Sequence, residues 1–159
     1  MREEEFKAMK KTDVKLKKLN ESARVPVYAT DEAAACDLCA CIGEDCVIGA
    51  GEIKMIPTGL AIQCGECAEY NTVILVFARS GLASKHGIAL ANGVGVIDTD
   101  YRGEIKVPLI NQSSVPFTIH DGDRIAQMMF VPVMRAEFSL TDELDDTERG
   151  KSGFGSTGI

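Results

Sequence analysis

Apolar and β-branched residues occur along this chain in short runs, and Gly, Pro, Asn and Asp separate the runs. Short runs between turn residues are typical of a compact all-β domain. The candidate strands are residues 14–19, 53–57, 72–77, 104–110, 117–119 and 124–133, with weaker runs around Val47 and Val94. The turn-rich sequence Cys64-Gly65-Glu66-Cys67 predicts a hairpin that joins two of these strands.

One segment, residues 78–87, breaks the β pattern and predicts a single short helix. Ser80 stands early in the segment, where a capping residue is favoured, and Gly87 stands where a helix would end. The first turn of this helix would present unpaired backbone N–H groups beside Arg79, which is a suitable site for an anion. A solvated surface turn is the alternative interpretation of the same residues.

The length of 159 residues is enough for one sizeable core and too short for two ordinary domains. The expected organisation is a charged N-terminal extension (1–12), one β domain (13–140) and a C-terminal arm (141–159). The arm is acidic at first and then rich in glycine, so it cannot pack a core and is expected to order only when something binds it. A linker would have a similar composition, but Arg149 and Phe154 favour a functional arm.

Composition narrows the possible partners. A formal net charge of -7 would repel a polyanion, and the absence of Trp weakens any base-stacking surface, so nucleic acid is not an expected partner. No apolar run approaches the roughly 20 residues of a spanning helix, and the charged start lacks the apolar core of a signal peptide. The expectation is a soluble, cytoplasmic protein with no membrane partner.

The six cysteines allow two interpretations. Cys36 and Cys39 form one CxxC pair and Cys64 and Cys67 form another, a spacing compatible with a zinc ribbon. In a strand, however, Cys36 and Cys39 would point to opposite faces, which is poor geometry for a shared metal. Reduced thiols in an intracellular protein are the favoured interpretation.

Five separated segments, in order, are similar to the five motifs of the trimeric dUTP pyrophosphatase (dUTPase) family. They are AAACDLCA from Ala33, ARSGLASKHGI from Ala78, NGVGVIDTDYRGEIKV from Asn92, GDRIAQMMF from Gly122 and RGKSGFGSTG from Arg149. The resemblance implies a distorted jelly-roll-like β-barrel (the β-clip fold of dUTPases) and a homotrimer with three shared active sites. It also implies Mg²⁺-assisted hydrolysis of dUTP to dUMP and pyrophosphate, which limits uracil in DNA and supplies dUMP for dTMP synthesis.

The third motif is where the resemblance places the nucleoside. Main-chain groups of a hairpin at Asn92-Gly93 would pair with uracil, whereas cytosine would leave buried polar groups unpaired. Tyr101 would stack under the deoxyribose and exclude a 2′-hydroxyl, and Asp98 would contact the 3′-hydroxyl and orient the attacking water. The implied nucleoside-binding residues also include Asn92, Gly95, Val96 and Ile97. Taken alone, Asp98-Thr99-Asp100 could equally be a polar turn.

The other motifs are implied to hold the triphosphate. Arg79, Ser80 and Gly81 resemble a phosphate cradle, and Gln127 would hold the α-phosphate and the water. Asp37 would contact Mg²⁺ through water, although a turn or strand-end aspartate is its simpler interpretation. In the arm, Arg149 would pair with the terminal phosphates and Phe154 would stack on uracil. For Arg124 a structural ion pair is favoured over a phosphate contact.

Two departures from the motifs affect details: Ser152 and Ala35 stand where the family commonly has glycine. Two other functions compete with dUTP hydrolysis. A dCTP deaminase of the same fold would carry an Arg-Ser-Ser second motif, whereas Ser80 is followed here by Gly81. A catalytically silent nucleotide sensor is disfavoured by the complete set of motif residues.

Overall fold

Twelve strands and one short helix make up the described part of the chain, residues 11–64 and 71–151, in a computed structural model. The strands are β1 Val14–Lys18, β2 Val27–Tyr28, β3 Cys36–Cys39, β4 Cys46–Ile48, β5 Ile53–Pro57, β6 Leu60–Cys64, β7 Asn71–Ala78, β8 Ile88–Leu90, β9 Gly95–Ile97, β10 Lys106–Asn111, β11 Phe117–Ile119 and β12 Arg124–Val133. The helix is α1, Ser80–His86. The all-β prediction with one short helix is confirmed.

The strands form four antiparallel sheets. The largest has the order β2-β3-β12-β7-β9, a second has the order β5-β10-β8, and β1-β6 and β11-β4 form two-stranded sheets. The inner faces of these sheets enclose one core, in which the largest fully buried side chains include Leu38, Ile56, Ile74, Leu109 and Ile125. Strand β7 shows the expected alternation, because Thr72, Ile74 and Val76 are buried and the residues between them are partly exposed.

The predicted strand bounds agree closely with the observed bounds for some strands and less closely for others. The predictions for 53–57, 117–119 and 124–133 match β5, β11 and β12, while β10 begins two residues later than predicted. The predicted hairpin at Cys64–Cys67 is wrong, because β6 pairs with β1 whereas β7 pairs with β12 and β9. Residues 65–70, including Cys67, lie outside the described part.

The helix begins at Ser80, one residue earlier than a helix with Ser80 as its cap would begin. Its N-cap is Arg79, which has an extended backbone and makes no side-chain capping hydrogen bond, so Ser80 is the first helical residue and not the cap. At the other end Gly87 adopts the left-handed conformation (φ 68°), and its N–H donates to the carbonyl of Ala83. The predicted glycine C-cap is thus confirmed. No helix in the described ranges is long and apolar enough to cross a membrane.

A β-bulge in β12 brings two polar residues to one face of the main sheet. Arg124 lies opposite Cys39 and Ala126 lies opposite Leu38, so Ile125 is the extra residue. Ile125 and Ala126 are both buried, whereas Arg124 and Gln127 both face outward. Residues three positions apart lie on opposite faces of a regular strand, so the bulge is what gives Arg124 and Gln127 a common face.

Candidate functional site

Two clefts contain most of the residues singled out from the sequence. The first, called here the β9 cleft, has a volume of about 480 Å³. The second, the α1 cleft, has a volume of about 740 Å³. At β7 the two clefts open on opposite faces, because the inward-facing Val76 lines the β9 cleft and the outward-facing Phe77 lines the α1 cleft.

The β9 cleft collects the residues of the third motif. Asn92, Gly95, Val96, Ile97, Asp98 and Tyr101 all line it. Strand β9 is at the edge of the main sheet and pairs, among the described residues, only with β7. The other edge of an edge strand presents backbone N–H and C=O groups that a ligand can use.

At Asn92-Gly93 the predicted turn is confirmed, whereas the predicted pairing of the two flanking strands is wrong. Gly93 has a φ of 72°, and its N–H donates to the carbonyl of Leu90, so a tight turn is present. The strands on either side do not pair with each other: β8 joins β10 and β9 joins β7. The turn therefore connects two sheets, and the cleft lies where they separate.

The loop after β9 is fixed by its own hydrogen bonds. The Asp98 carbonyl accepts from the Tyr101 N–H (3.2 Å), and the Tyr101 hydroxyl donates to the Glu104 carbonyl (3.1 Å). Arg102 Nη1 donates to the carbonyls of Thr99 (2.6 Å) and Tyr101 (2.9 Å). Asp98 is exposed at the end of β9, where its carboxylate can reach a ligand and solvent at once.

In the α1 cleft one carboxylate holds two arginines. Asp37 Oδ1 lies 3.1 Å from Arg79 Nε, and Asp37 Oδ2 lies 3.1 Å from Arg124 Nη1. The ion pair predicted for Arg124 is confirmed. Arg79 also donates through Nη1 to the Arg124 carbonyl (3.0 Å). The side chain of Asp37 is 16% exposed and that of Arg79 is 26% exposed, whereas that of Arg124 is 56% exposed, so the carboxylate is shielded from most of the solvent and Arg124 is not.

The remaining α1-cleft residues surround this cluster. Gln127 lies opposite Asp37 in the β3–β12 register, and its Nε2 donates to the Ala78 carbonyl (2.9 Å). Ser80 and Gly81 form the start of α1 and line the same cleft. The structure therefore brings Asp37, Arg79, Ser80, Gly81 and Gln127 together, as the motifs predict.

The described residues of the arm, 141–151, line neither cleft in the single chain. Residues 134–151 are exposed throughout and form no strand or helix, and Arg149 is not among the residues that line the two clefts. Phe154 and Ser152 lie outside the described residues.

Sequence reasoning missed several residues of the β9 cleft, of which three could contact a ligand through long side chains. Glu104, Lys106 and Met55 line the β9 cleft, and Lys106 Nζ lies 3.5 Å from Glu104 Oε2. The alternation of polar Glu104 and Lys106 with apolar Ile105 and Val107 indicates an exposed face there. That signal does not show which cleft the face lines.

The positions of Cys36 and Cys39 exclude a zinc ion shared by these two residues. Cys36 is buried on the inner face of β3, whereas Cys39 is on the outer face with Asp37, so the pair cannot share an ion. The described residues contain no group of three or more potential metal ligands among His, Cys, Asp and Glu. Burial raises the pKa of Cys36, Cys39 and Cys64 above that of an ordinary thiol, which keeps them protonated.

Comparison with known proteins identifies the family. The dUTPase family model matches residues 21–158. The deoxyuridine 5′-triphosphate nucleotidohydrolase of Desulfitobacterium hafniense is 57% identical over 140 residues, which cover 88% of this chain and 91% of that protein. The enzyme of the same name from Haemophilus influenzae is 47% identical over 152 residues, covering 94% and 99%. The chain belongs to the dUTPase family.

Solved structures agree with this assignment. The dUTPase of Staphylococcus bacteriophage 80alpha, solved with dUpNHpp, superposes with a TM-score of 0.82 at 26% identity and covers 92% of this chain and 99% of that one. The dUTPase of phage phi11 of S. aureus, in a variant described with a structural Mg(II) ion, gives a TM-score of 0.74 at 22% identity. The fold of this chain is therefore the dUTPase fold.

Proposed function

We propose that the chain is a Mg²⁺-dependent homotrimeric enzyme that hydrolyses dUTP to dUMP and pyrophosphate. Family membership and relatives named for dUTP hydrolysis support the reaction. One observation supports it most strongly: motif residues from distant parts of the chain gather in two clefts, one along a free strand edge and one around arginines.

Base recognition would use the free edge of β9. Uracil offers an N–H donor flanked by carbonyl acceptors, and the peptide groups of an edge strand can complement that pattern. Cytosine presents the opposite pattern at two of these positions and would leave buried groups unpaired, which rejects it strongly. Asn92, Gly95, Val96 and Ile97 are the proposed base-binding residues, acting mainly through their backbones.

The triphosphate would lie against the α1 cleft. Arg79 and the first backbone N–H groups of α1, at Ser80 and Gly81, would neutralise and position the phosphates. Gln127 would orient the α-phosphate and the attacking water. Asp98, the proposed catalytic residue, would accept a proton from that water as it attacks the α-phosphorus in line with the departing pyrophosphate.

The residues present fit a Mg²⁺ ion held mainly by the substrate. Asp37 is the one carboxylate lining the α1 cleft in the described residues, and both of its oxygens already pair with arginines. Each oxygen retains a second lone pair, which can accept a hydrogen bond from metal-bound water. Mg²⁺ keeps several waters and favours phosphate oxygens, and when bound it would neutralise charge on the triphosphate.

Two observations support subunit sharing of the site. First, the β9 and α1 clefts open on opposite faces of β7, so one nucleotide in a single chain would have to reach both around the turn at Asn92 and Gly93, which line the β9 cleft and the α1 cleft respectively. Second, Met134, Phe138 and Leu140 are at least 93% exposed and alternate with polar residues, a strand-like pattern with no partner in the described chain. Both features are accounted for if residues of one subunit complete the active site and pair with the strands of another subunit.

We extend the same proposal to the C-terminal arm, residues 141–159. Arg149 would pair with the terminal phosphates and Phe154 would stack on uracil, closing a neighbouring subunit's site and excluding water. Deleting residues 149–159 is then expected to leave the trimer mass unchanged in light scattering while removing most turnover. Loss of the trimer would show instead that these residues serve assembly.

The reaction is tested by incubating the purified protein with Mg²⁺ and each deoxynucleoside triphosphate separately, and measuring pyrophosphate and ammonia. Pyrophosphate from dUTP alone is the expected result. Ammonia from dCTP would identify a deaminase, and binding of dUTP without any product would identify a sensor. Asp98→Asn is expected to keep dUTP binding while lowering kcat by at least about a hundredfold.

A further inference from the structure

The ring of Tyr101 stands directly against the backbone of Gly103. A Cβ added at Gly103 would overlap the Tyr101 hydroxyl and would lie 2.5 Å from the ring carbon Cζ. Gly103 is not one of the glycines with a positive φ, so a side chain there would be opposed by the position of the Tyr101 ring and not by backbone conformation. The ring therefore has a rigid backbone wall behind it.

The hydroxyl end of the same ring is also fixed. It donates to the Glu104 carbonyl at 3.1 Å. That carbonyl belongs to a segment clamped to the β5–β6 turn: Glu104 Oε1 accepts from the Gly59 N–H (2.9 Å), and the Ile105 N–H donates to the Leu60 carbonyl (2.8 Å). The anchor of Tyr101 is thus part of the sheet framework and not of a free loop.

Tyr101 faces the β9 cleft, and Gly103 lies behind it. Tyr101 and Asp98 both line the cleft, whereas Gly103 is not among its lining residues. A side chain at Gly103 would meet Tyr101 first, so its effect on a nucleotide would be transmitted mainly through that ring. We propose that Gly103, together with the Glu104 carbonyl, is a specificity-determining positioning element that holds the Tyr101 ring in place as a barrier to a 2′-hydroxyl.

The physical basis is the stiffness that rejection of a hydroxyl requires. An apolar surface that can move aside accepts an added hydroxyl at little cost, so a ring with space behind it would distinguish dUTP from UTP only weakly. Close packing behind the ring removes that space. This inference rests on the proposed function, since it assumes that the sugar of a uridine nucleotide lies on Tyr101.

The test measures kcat and KM for dUTP and UTP separately in the full-length protein with Mg²⁺. In Gly103→Ala the added methyl group displaces the ring and breaks its hydrogen bond, so the dUTP/UTP ratio of kcat/KM is expected to fall about tenfold or more. In Tyr101→Phe the ring keeps its wall and loses only its anchor, and a fall of about threefold is expected. Gly43→Ala is the matched control, because a Cβ there meets no atom within 4 Å.

The outcomes separate this inference from the proposed function. If the parent protein does not hydrolyse dUTP, the proposed function fails. If the parent is active and a folded Gly103→Ala keeps the parental dUTP/UTP ratio, the positioning role is overturned while the function stands. If Gly103→Ala does not fold, the result for Tyr101→Phe tests the proposal instead. An unchanged dUTP/UTP ratio of kcat/KM in Tyr101→Phe would overturn the role of the hydrogen bond to the Glu104 carbonyl. A purely structural role would lower both substrates equally and leave the ratio unchanged.

Discussion

Two inactive variants are predicted to restore each other's activity. Asp98 lies in the β9 cleft and Arg79 lies in the α1 cleft, and these clefts open on opposite faces of β7. If each active site joins the β9 cleft of one subunit to the α1 cleft of a neighbour, a mixed trimer can assemble a site in which both residues are native. We therefore propose to combine Asp98→Asn with Arg79→Gln.

The size of the effect follows from the geometry of a closed three-fold ring. An intact site needs Asp98 from an Arg79→Gln subunit and Arg79 from the neighbouring Asp98→Asn subunit. With equal amounts and random assembly, each condition is met in about half of cases, so about a quarter of all sites are native. Each variant alone should retain about a hundredth of parental activity or less, because a general base or a phosphate-binding charge is lost. The expected gain on mixing is thus at least about 25-fold.

The assay unfolds the two variants together, refolds them and measures pyrophosphate release from dUTP. The controls are each variant refolded alone, the parent refolded alone, and the two native variants mixed without unfolding. About a quarter of the refolded parent's activity is expected only in the co-refolded sample. Activity no higher than the sum of the two variants, with mixed trimers shown to be present by mass spectrometry, would mean that each site lies within one subunit.

Three further predictions concern charges and buried polar groups. Arg124→Gln should lower kcat/KM less than about fivefold, because the Arg124 side chain is 56% exposed in its ion pair with Asp37 and such a pair contributes at most about 1 kcal/mol. Arg79→Gln should lower kcat/KM by about a hundredfold or more, and equal losses would show that Arg124 also binds phosphate. Asn111→Leu should cost about 2–4 kcal/mol in urea unfolding, since the fully buried amide makes four hydrogen bonds that tie β10 to Ile48 and to residues 113–115. The Asp45 carboxylate, 2.8 Å from His120, raises the pKa of that imidazole by its hydrogen bond and charge. The stabilisation of the folded state by this pair is therefore present below about pH 6.5 and is lost as pH rises through the raised pKa. His120→Gln should lower Tm at pH 6 and leave it unchanged at pH 9.

The strands that could be predicted from sequence are those with a visible alternation. In β7 buried and partly exposed residues take turns, and the predicted bounds were one residue short at each end. In β12 the alternation holds from Ala126 to Met129, and the predicted bounds were correct. Strand β6 was missed because Leu60, Ala61 and Ile62 are all buried, which leaves no period of two to detect. Strand β2 has only two residues and carries no pattern at all.

Pairing partners were harder to predict than strands. A turn signal between two strands does not determine that they pair with each other, since long-range partners compete. At 64–67 the flanking strands pair with β1, β12 and β9, and at Asn92-Gly93 the chain crosses from one sheet to another. The motif residues nevertheless gather in the two clefts, because a motif records which residue types a ligand needs and does not depend on how the sheets are arranged.

The bulge at Ile125 shows that a local irregularity of the backbone helps to arrange the motif residues. In a regular strand Arg124 and Gln127 would face opposite sides, and only one of them could lie beside Asp37. The extra residue lets Arg124 pair with Oδ2 of Asp37 while Gln127 lies directly opposite Asp37 on the same face. Arg79 takes the other oxygen, so a single carboxylate aligns the start of α1 with the end of the bulge. The local order of the α1 cleft therefore depends on one backbone irregularity, because regular pairing of the same residues without a bulge would turn Arg124 toward the core, where its charge has no partner.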